Sequence, residues 1–144
     1  MVPINSRAPS GSYSKILFGE RIEYVLIGPY WQIWLCRDND VEFGKVSGID
    51  GLYIANRLQN GVKQSLITFN QGGSWSPLLI NDSCADCTLN LYSPSSDLKD
   101  HFYSRHTAPG LIIATGNVGL SLNKEQSAAN TYLSRDAGLT WKLL

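Results

Sequence analysis

The sequence has no excess of charge of either sign, because twelve lysines and arginines balance twelve aspartates and glutamates in 144 residues. Proteins that bind nucleic acid or anionic membranes by electrostatic attraction carry a basic surplus, so the balance argues against both kinds of partner. No stretch reaches the roughly 20 consecutive apolar residues that span a bilayer. The most apolar one, residues 22–36, is interrupted by Glu23 and Gln32, and residues 1–14 contain no apolar core of a secretory signal.

What the chain does contain is an eight-residue turn pattern that occurs twice, Ser/Thr-x-Asp/Asn-x-Gly-x-Ser/Thr-Trp, at residues 68–75 and 134–141. In such a turn the hydroxyl and the Asp or Asn side chain can bond to backbone groups, and the glycine supplies a positive φ. The tryptophan can fold over the turn and bury a large apolar area. We expect all ten fixed positions to be structural. They are Thr68, Asn70, Gly72, Ser74, Trp75, Ser134, Asp136, Gly138, Thr140 and Trp141.

The repetition extends to the segment that precedes each turn. Residues 51–55 read Gly-Leu-Tyr-Ile-Ala, and residues 110–114 read Gly-Leu-Ile-Ile-Ala. The offset is 59 residues at these segments and 66 at the turns, so the second unit holds a seven-residue insertion, most simply within residues 116–130. Each unit is predicted to form strand, loop, strand, turn and strand. A period of this size is typical of the four-stranded blades of a β-propeller.

The remaining segments are mostly predicted strands and loops. Residues 96–105 are the one helical candidate, because Ser95 or Ser96 can cap a helix there and Pro94 ends the strand before it. The predicted fold class is all-β, a partial β-propeller of about two four-stranded blades plus part of a third, with one short helix. The further strand candidates are residues 21–27, 31–37, 41–47 and 88–92.

Two cysteines and two histidines have the spacing of a zinc site. Cys84, Cys87, His101 and His106 form the pattern C-x2-C-x13-H-x4-H, which lies inside the Cys2His2 range. Against this interpretation, residues 88–92 are better explained as a strand, and the region has no basic recognition helix to neutralise phosphates. The strand also argues against a thioredoxin-like redox site, which needs a helix there. A small zinc-site adaptor or nucleic-acid-binding protein stays an alternative, although we expect no bound metal.

The eight-residue turn resembles the Asp-box of sialidases and sortilin-type receptors, and longer segments favour the receptors. Residues 46–55 and 66–75 resemble one blade of the Vps10p domain, and residues 107–119 and 132–141 resemble the next. The family's domain is a ten-bladed propeller. The resemblance therefore implies that residues 41–144 form two of its blades. Residues 1–40 are a poorly matched lead-in and partial blade.

By this resemblance, the chain is a fragment of a sorting receptor that binds peptide or protein ligands through the complete propeller. Such receptors carry their ligands between Golgi, endosome and cell surface, with this portion in the lumen or outside the cell. Membrane association would come only from parts of the receptor outside these residues, and the 144 residues would then be a fragment or an incomplete gene model. The family's ligand contacts lie in the propeller tunnel and the Asp-boxes on the outer rim. The ligand-binding residues therefore stay unknown, and no cofactor or nucleic acid is implied.

The resemblance also bears on the cysteines. It implies that Cys84 and Cys87 close a loop as a disulfide just before a strand, and it leaves Cys36 as a buried thiol or as the partner of a cysteine elsewhere. Asn81 begins an Asn-Asp-Ser sequon in a polar loop, so it is a candidate N-glycosylation site.

An enzyme is the last alternative, because sialidases also carry Asp-boxes. Glycoside hydrolysis needs two positioned carboxylates, or a tyrosine nucleophile backed by an acid. Sialidases add a cluster of arginines, whereas the arginines of this chain are scattered along the sequence. A carbohydrate-active propeller fragment is thus kept as an alternative, but we expect no enzymatic activity.

Overall fold

A computed structural model of the chain describes residues 13–18, 21–27, 30–36, 43–59, 62–80, 84, 86–94 and 101–144. The described residues form twelve strands and one 3-10 turn, Gln126–Ala128. The strands are β1 (Tyr13–Phe18), β2 (Arg21–Ile27), β3 (Tyr30–Cys36), β4 (Phe43–Lys45), β5 (Tyr53–Gln59), β6 (Val62–Thr68), β7 (Ser76–Pro77), β8 (Thr88–Tyr92), β9 (Tyr103–Ser104), β10 (Ile112–Gly119), β11 (Asn130–Ser134) and β12 (Lys142–Leu143).

The strands form three antiparallel sheets that follow one another along the chain. The first sheet has the order β1-β2-β3, and the second has the order β4-β5-β6-β7. The third has the order β8-β10-β11-β12, and β9 pairs with the beginning of β10. Up-and-down sheets in sequence order are what consecutive propeller blades look like. The predicted all-β class and partial propeller are therefore confirmed.

The second and third sheets repeat each other in backbone geometry as well as in sequence. The N–H of Gln71 donates to the carbonyl of Gly51 at 3.0 Å, and the N–H of Ala137 donates to the carbonyl of Gly110 at 2.9 Å. Gln71 and Ala137 both have a positive φ, of 61° and 62°. The same bond therefore ties the start of the second strand to the turn in both units.

The insertion in the second unit lies in the connection where the sequence places it. β5 ends at Gln59 and β6 begins at Val62, whereas β10 ends at Gly119 and β11 begins at Asn130. The longer connection, residues 120–129, contains the 3-10 turn. The insertion falls between β10 and β11, so the added residues do not shift the pairing of either strand with its neighbours.

The innermost edge of the third sheet is interrupted. β8 pairs with the second half of β10, and β9 pairs with Ile112 and Ile113 at its beginning. The described residues between these two strands, 93, 94, 101 and 102, are outside the ladder, although only Ala114 separates the partners of the two strands on β10.

The predicted helix over residues 96–105 is wrong in the part that the structure describes, because Tyr103–Ser104 is strand β9; residues 95–100 lie outside the described residues. Phe102 packs so closely on the second sheet that a Cβ at Gly44 would lie 2.9 Å from its ring. This packing and the ladder with β10 override the local helical pattern.

The N-terminal expectations have mixed outcomes. Residues 1–12 lie outside the described residues, but the lead-in ends at Tyr13, where β1 begins. The strands predicted over 21–27 and 31–37 are confirmed as β2 and β3, and the 41–47 candidate contains the shorter β4. The domain boundary near residue 40 stays a prediction.

The core lies between the second and third sheets. Its buried residues come from both, so neither sheet covers its apolar side chains alone. They include Ile54 and Ile67 of the second sheet, Leu78 of the connection that follows, and Leu89, Leu91, Ile112 and Trp141 of the third.

Candidate functional site

The first Asp-box is held by side chains that bond to its own backbone. The Thr68 hydroxyl accepts a hydrogen bond from the N–H of Gly72 at 2.9 Å and donates to Asn70 Oδ1 at 3.0 Å. Asn70 Oδ1 also accepts from the N–H of Ser74 at 2.9 Å, and Asn70 Nδ2 donates to the Ser74 hydroxyl. These bonds engage the Thr68, Asn70 and Ser74 side chains within the turn.

The second Asp-box joins the same positions by hydrogen bonds, and only the bond between the two side chains at its third and seventh positions is reversed in direction. The Ser134 hydroxyl accepts from the N–H of Gly138 at 2.8 Å and donates to Asp136 Oδ1 at 2.9 Å. Asp136 Oδ1 accepts from the N–H of Thr140 at 2.9 Å, and the Thr140 hydroxyl donates to Asp136 Oδ2. The structural role of both turns stays a prediction, which these hydrogen bonds support.

Trp141 closes the second turn. Its indole N–H donates to the carbonyl of Gly138 at 3.0 Å, and the side chain is buried. Gly138 has a φ of +89°, and a Cβ there would lie 2.5 Å from Ile67 Cδ1 of the second sheet. This position therefore needs glycine both for the backbone conformation and for close packing between the sheets.

The Asp136 carboxylate is the acidic group of the second turn. Partial burial raises its pKa, but hydrogen bonds from Thr140 and Ser134 lower the pKa by more, so that it lies below its ordinary value of 3.8. A carboxylate held in its ionised form by donors is suited to fixing a turn. It is poorly suited to donating a proton at neutral pH.

Three buried polar side chains join the second sheet to the third, and we call them the clamp: Asn56, Ser65 and Asn90. Asn56 Nδ2 donates to the carbonyl of Leu91 at 2.7 Å, and the N–H of Leu91 donates to the Ser65 hydroxyl at 2.7 Å. In return, the N–H of Ser65 donates to Asn90 Oδ1 at 3.0 Å. All three side chains are fully buried. The clamp thus satisfies backbone groups of β6 and β8 that no neighbouring strand pairs.

The clamp was not predicted from the sequence. The one signal available was that Asn56 and Ser65 alternate with Ile54 and Ile67, which places polar residues on an apolar face. Their partners are 25 to 35 residues away, so no local pattern identifies them.

The two cysteines and two histidines of the zinc pattern do not come together as a metal site. Cys84 and Cys87 form a disulfide with a Cα–Cα distance of 5.3 Å, which removes both thiolates that zinc would need. His101 is buried with its ring edge-on to Phe102, and His106 is exposed. Among the described residues, no three His, Cys, Asp or Glu side chains lie where they could hold a metal ion. Asn81 lies outside the described residues.

An open groove of about 780 Å³ lies where the connection after β7 passes β12. It is mostly apolar, and Lys142 is the one charged side chain among the described residues that line it. These lining residues are Leu79, Ile80, Val118, Tyr132, Thr140, Trp141, Lys142 and Leu143. They include no pair of carboxylates for glycoside hydrolysis. In the described part of the chain, no helix has the length and apolar character needed to cross a membrane.

The geometry agrees with comparisons to known proteins. The profile of the Sortilin-Vps10 family, described as "Sortilin, neurotensin receptor 3", matches residues 21–144. Vacuolar protein sorting/targeting protein 10 of Pyrenophora teres f. teres is 35% identical in an alignment of 126 positions that covers 71% of this chain and 8% of that protein. The sortilin-related receptor of Homo sapiens is 34% identical in an alignment of 122 positions that covers 70% of this chain and 5% of that protein.

The chain spans less than a tenth of the length of these relatives. The similarity extends from β2 to the last residue and includes both Asp-boxes. The resemblance read from the repeated turns is therefore confirmed, and the chain belongs to the Sortilin-Vps10 family.

Proposed function

We propose that this chain is part of a receptor domain that binds peptide or protein ligands and carries them between Golgi, endosome and cell surface. The observation that carries the proposal is the family match over residues 21–144, whose relatives bear names of sorting proteins and receptors. Receptors of this kind bind and release their ligands without chemical conversion. This fits the two Asp-boxes, in which Asn70 and Asp136 accept hydrogen bonds from their own turns.

The ligand-binding surface belongs, in this proposal, to the complete domain. The polar side chains at the interface of the second and third sheets are engaged with each other and with the backbone of β8. The Asp-box side chains are engaged within their turns. Ligand contacts therefore require surfaces that several sheets build together.

The proposed setting is the lumen of the secretory pathway or the cell exterior. Disulfides persist in these oxidising compartments, and the Cys84–Cys87 pair forms one. The sequon at Asn81 would carry a glycan in the same compartments. Membrane attachment is expected from other parts of the receptor.

The size of the native protein tests the proposal. An antibody against residues 41–144 is used on membrane and soluble fractions of the source cells, with and without glycosidase. We expect a large membrane-associated band that becomes smaller after glycosidase treatment. A single unglycosylated band near 15.9 kDa in the soluble fraction would overturn the receptor function.

Ligand binding is then measured with the complete receptor carried by that band. Fluorescent neurotensin is a suitable first probe, because the family description names a neurotensin receptor. Saturable binding that unlabelled peptide displaces is the expected result. A denatured receptor sample is the control for adsorption.

A further inference from the structure

The Cys84–Cys87 disulfide closes a very short loop, and its two cysteines differ in exposure. Only Ala85 and Asp86 lie between the cysteines, whose Cα atoms are 5.3 Å apart. Cys84 and Asp86 are exposed, whereas Cys87 is half-buried. A thiolate in solution can therefore approach the disulfide from the side of Cys84. Exposed disulfides are the ones that exchange readily with thiols.

The chain on both sides of this loop is held without the disulfide. The carbonyl of Leu78, before the loop, accepts the N–H of Leu89, after the loop, at 3.1 Å. Thr88 is the first residue of β8, where it pairs with Gly119, and its hydroxyl accepts a hydrogen bond from Gln64 Nε2 at 3.0 Å. These bonds connect backbone and side chains of the sheets themselves. Opening the disulfide therefore leaves them in place.

The turn inside the loop also has a hydrogen bond of its own. The N–H of Cys87 donates to the carbonyl of Cys84 at 3.3 Å. In addition, a disulfide stabilises a fold mainly by restricting the unfolded chain, and this gain is smallest for a short loop. We expect the two cysteines to stay close together after reduction, so that their disulfide can form again.

We propose that the Cys84–Cys87 disulfide is a site of reversible thiol–disulfide exchange, which a dithiol opens while the sheets stay folded. One thiolate of the dithiol attacks Sγ of Cys84 and bonds to it, and Cys87 leaves as a thiolate that takes up a proton. The second thiolate of the dithiol then attacks the first, and Cys84 leaves and takes up a proton. The protein gains two electrons and two protons, and the dithiol is oxidised to a disulfide.

The short turn favours a dithiol over a monothiol as the reductant. After the first step, the Cys87 thiol lies beside the mixed disulfide at Cys84, because the turn holds the two residues together. Its thiolate can attack Sγ of Cys84 and expel a monothiol, which restores the original disulfide. A dithiol competes with this reaction, because its second thiol is tethered to the sulfur that it attacks.

The exchange site lies at the end of the third sheet that is remote from the second Asp-box. Thr88 begins β8 opposite Gly119, the last residue of β10. At the other end of β10, Ile112 pairs with Ser134, where the Asp-box begins. Opening the disulfide therefore changes the connection between the second and third sheets and leaves that turn intact. The inference is independent of which ligand the receptor binds.

Differential alkylation of the native protein tests the proposal. The protein is captured without reductant by the antibody against residues 41–144, so the test applies to a large receptor and to a 144-residue product alike. It is treated with dithiothreitol or with glutathione at equal thiol concentration. Free thiols are then alkylated, and mass spectrometry measures the reduced fraction of the peptide that contains Cys84 and Cys87.

The rates with the two reductants decide the outcome. We expect dithiothreitol to reduce the pair in the native protein within about tenfold of its rate in the urea-unfolded protein, because local exchange needs no unfolding. Glutathione should be slower than dithiothreitol by about tenfold or more, because the Cys87 thiol expels it. A native rate with dithiothreitol further below the unfolded rate, or equal rates with both reductants, overturns the proposal.

Hydrogen exchange separates opening of the disulfide from unfolding. Deuterium uptake is measured for a peptide that covers residues 88–92, before and after reduction. We expect the two uptake curves to agree within about twofold in rate, because the Leu89 and Leu91 amides keep their acceptors at Leu78 and Ser65. A reduced protein that exchanges faster than this in the peptide overturns the proposal, since the disulfide would then hold the sheet.

Serine substitutions, made in the gene of the source cells, test the order of attack. Cys87→Ser leaves the exposed Cys84, and Cys84→Ser leaves the half-buried Cys87. We expect iodoacetamide to alkylate Cys84 in the first variant about fivefold or more faster than Cys87 in the second. A smaller difference or the reverse order overturns attack at Cys84. Cys36→Ser is the matched control and should not change reduction of the pair. A loss of reduction there would make Cys36, and not the dithiol, the attacking thiol.

Discussion

Single residues show how two copies of one turn differ in charge but share their geometry. Asn70 Oδ1 and Asp136 Oδ1 each accept the N–H four residues further on at 2.9 Å. Of the two, Asp136 titrates. The two turns can therefore be compared directly, because they share one geometry and differ at this position in having an amide or a carboxylate.

The charge of Asp136 makes the second turn sensitive to acid. Its folded pKa lies below 3.8, so its ionised form contributes stability that is present above the unfolded pKa and is lost as pH falls through the folded pKa. Asp136→Asn keeps an acceptor for the Thr140 N–H and removes this titration. We expect the difference in unfolding free energy between the two proteins to shrink below about pH 4, as measured by urea denaturation.

Truncation at the same position separates charge from hydrogen bonding. Asp136→Ala should lower the unfolding free energy by about 1 kcal/mol at neutral pH, because the turn amide loses its acceptor. Asn70→Ala is the control, with a similar loss at every pH. A difference between wild type and Asp136→Asn that does not vary with pH would contradict the role of the carboxylate.

Gly138 is constrained by its backbone conformation and by its packing against Ile67. The free-energy cost of violating each constraint can be measured separately. Gly138→Ala should cost about 2–4 kcal/mol, because alanine resists a φ of +89° and its Cβ meets Ile67 Cδ1. Adding Ile67→Val to Gly138→Ala should recover the unfolding free energy lost to the Cβ contact. The loss caused by the backbone conformation should remain. Unfolding free energies of the four proteins in the cycle give the coupling. Strictly additive costs would show that the contact is unimportant.

At the scale of elements, the sequence predicted the strands best where the Asp-box fixed their ends. β6 ends at Thr68 and β11 ends at Ser134, the first residues of the two Asp-boxes, whereas β5 and β10 begin within the repeated segments 51–55 and 110–114. The helix over residues 96–105 failed because contacts of Phe102 with the second sheet outweigh local periodicity. The clamp was not predictable, since Asn56 and Ser65 act on Leu91 and the sequence does not show which strand will lie opposite.

The clamp should stabilise the contact between two elements more than a surface hydrogen bond would. Ser65→Ala leaves the N–H of Leu91 buried without its acceptor, so we expect a loss of about 1–3 kcal/mol in the free energy of unfolding. Ser76→Ala, at an exposed position of the neighbouring strand, should cost less than about 0.5 kcal/mol. Urea denaturation measures both, and equal small losses would show that β8 does not depend on the clamp.

At the scale of the whole molecule, the second and third sheets depend on each other for their stability. The core is shared between the second and third sheets, and the connection in residues 120–129 returns to the second sheet, where the N–H of Leu122 donates to the carbonyl of Lys63 at 2.7 Å. A unit that relies on its neighbour in this way is less stable at the end of a row.

The 144-residue chain alone should therefore associate with itself. Ile113 and Leu133 are incompletely covered and Leu144 is exposed, so sedimentation at micromolar concentrations should show species larger than a monomer. Leu144→Asp should reduce this association. A monodisperse monomer that melts cooperatively would contradict the idea that the chain is a fragment of a larger propeller.

The gap between β8 and β9 lies where the length of the chain does not set the register of the third sheet. Both strands pair with β10, and only Ala114 separates their partners, whereas ten residues separate β8 from β9 along the chain. The pairing of β8 and of β9 with β10 therefore does not depend on how many residues connect the two strands. A change in the number of residues between Pro94 and His101 is therefore expected to leave the register of β8 and β9 on β10 unchanged. An engineer can graft a reporter peptide there for the same reason.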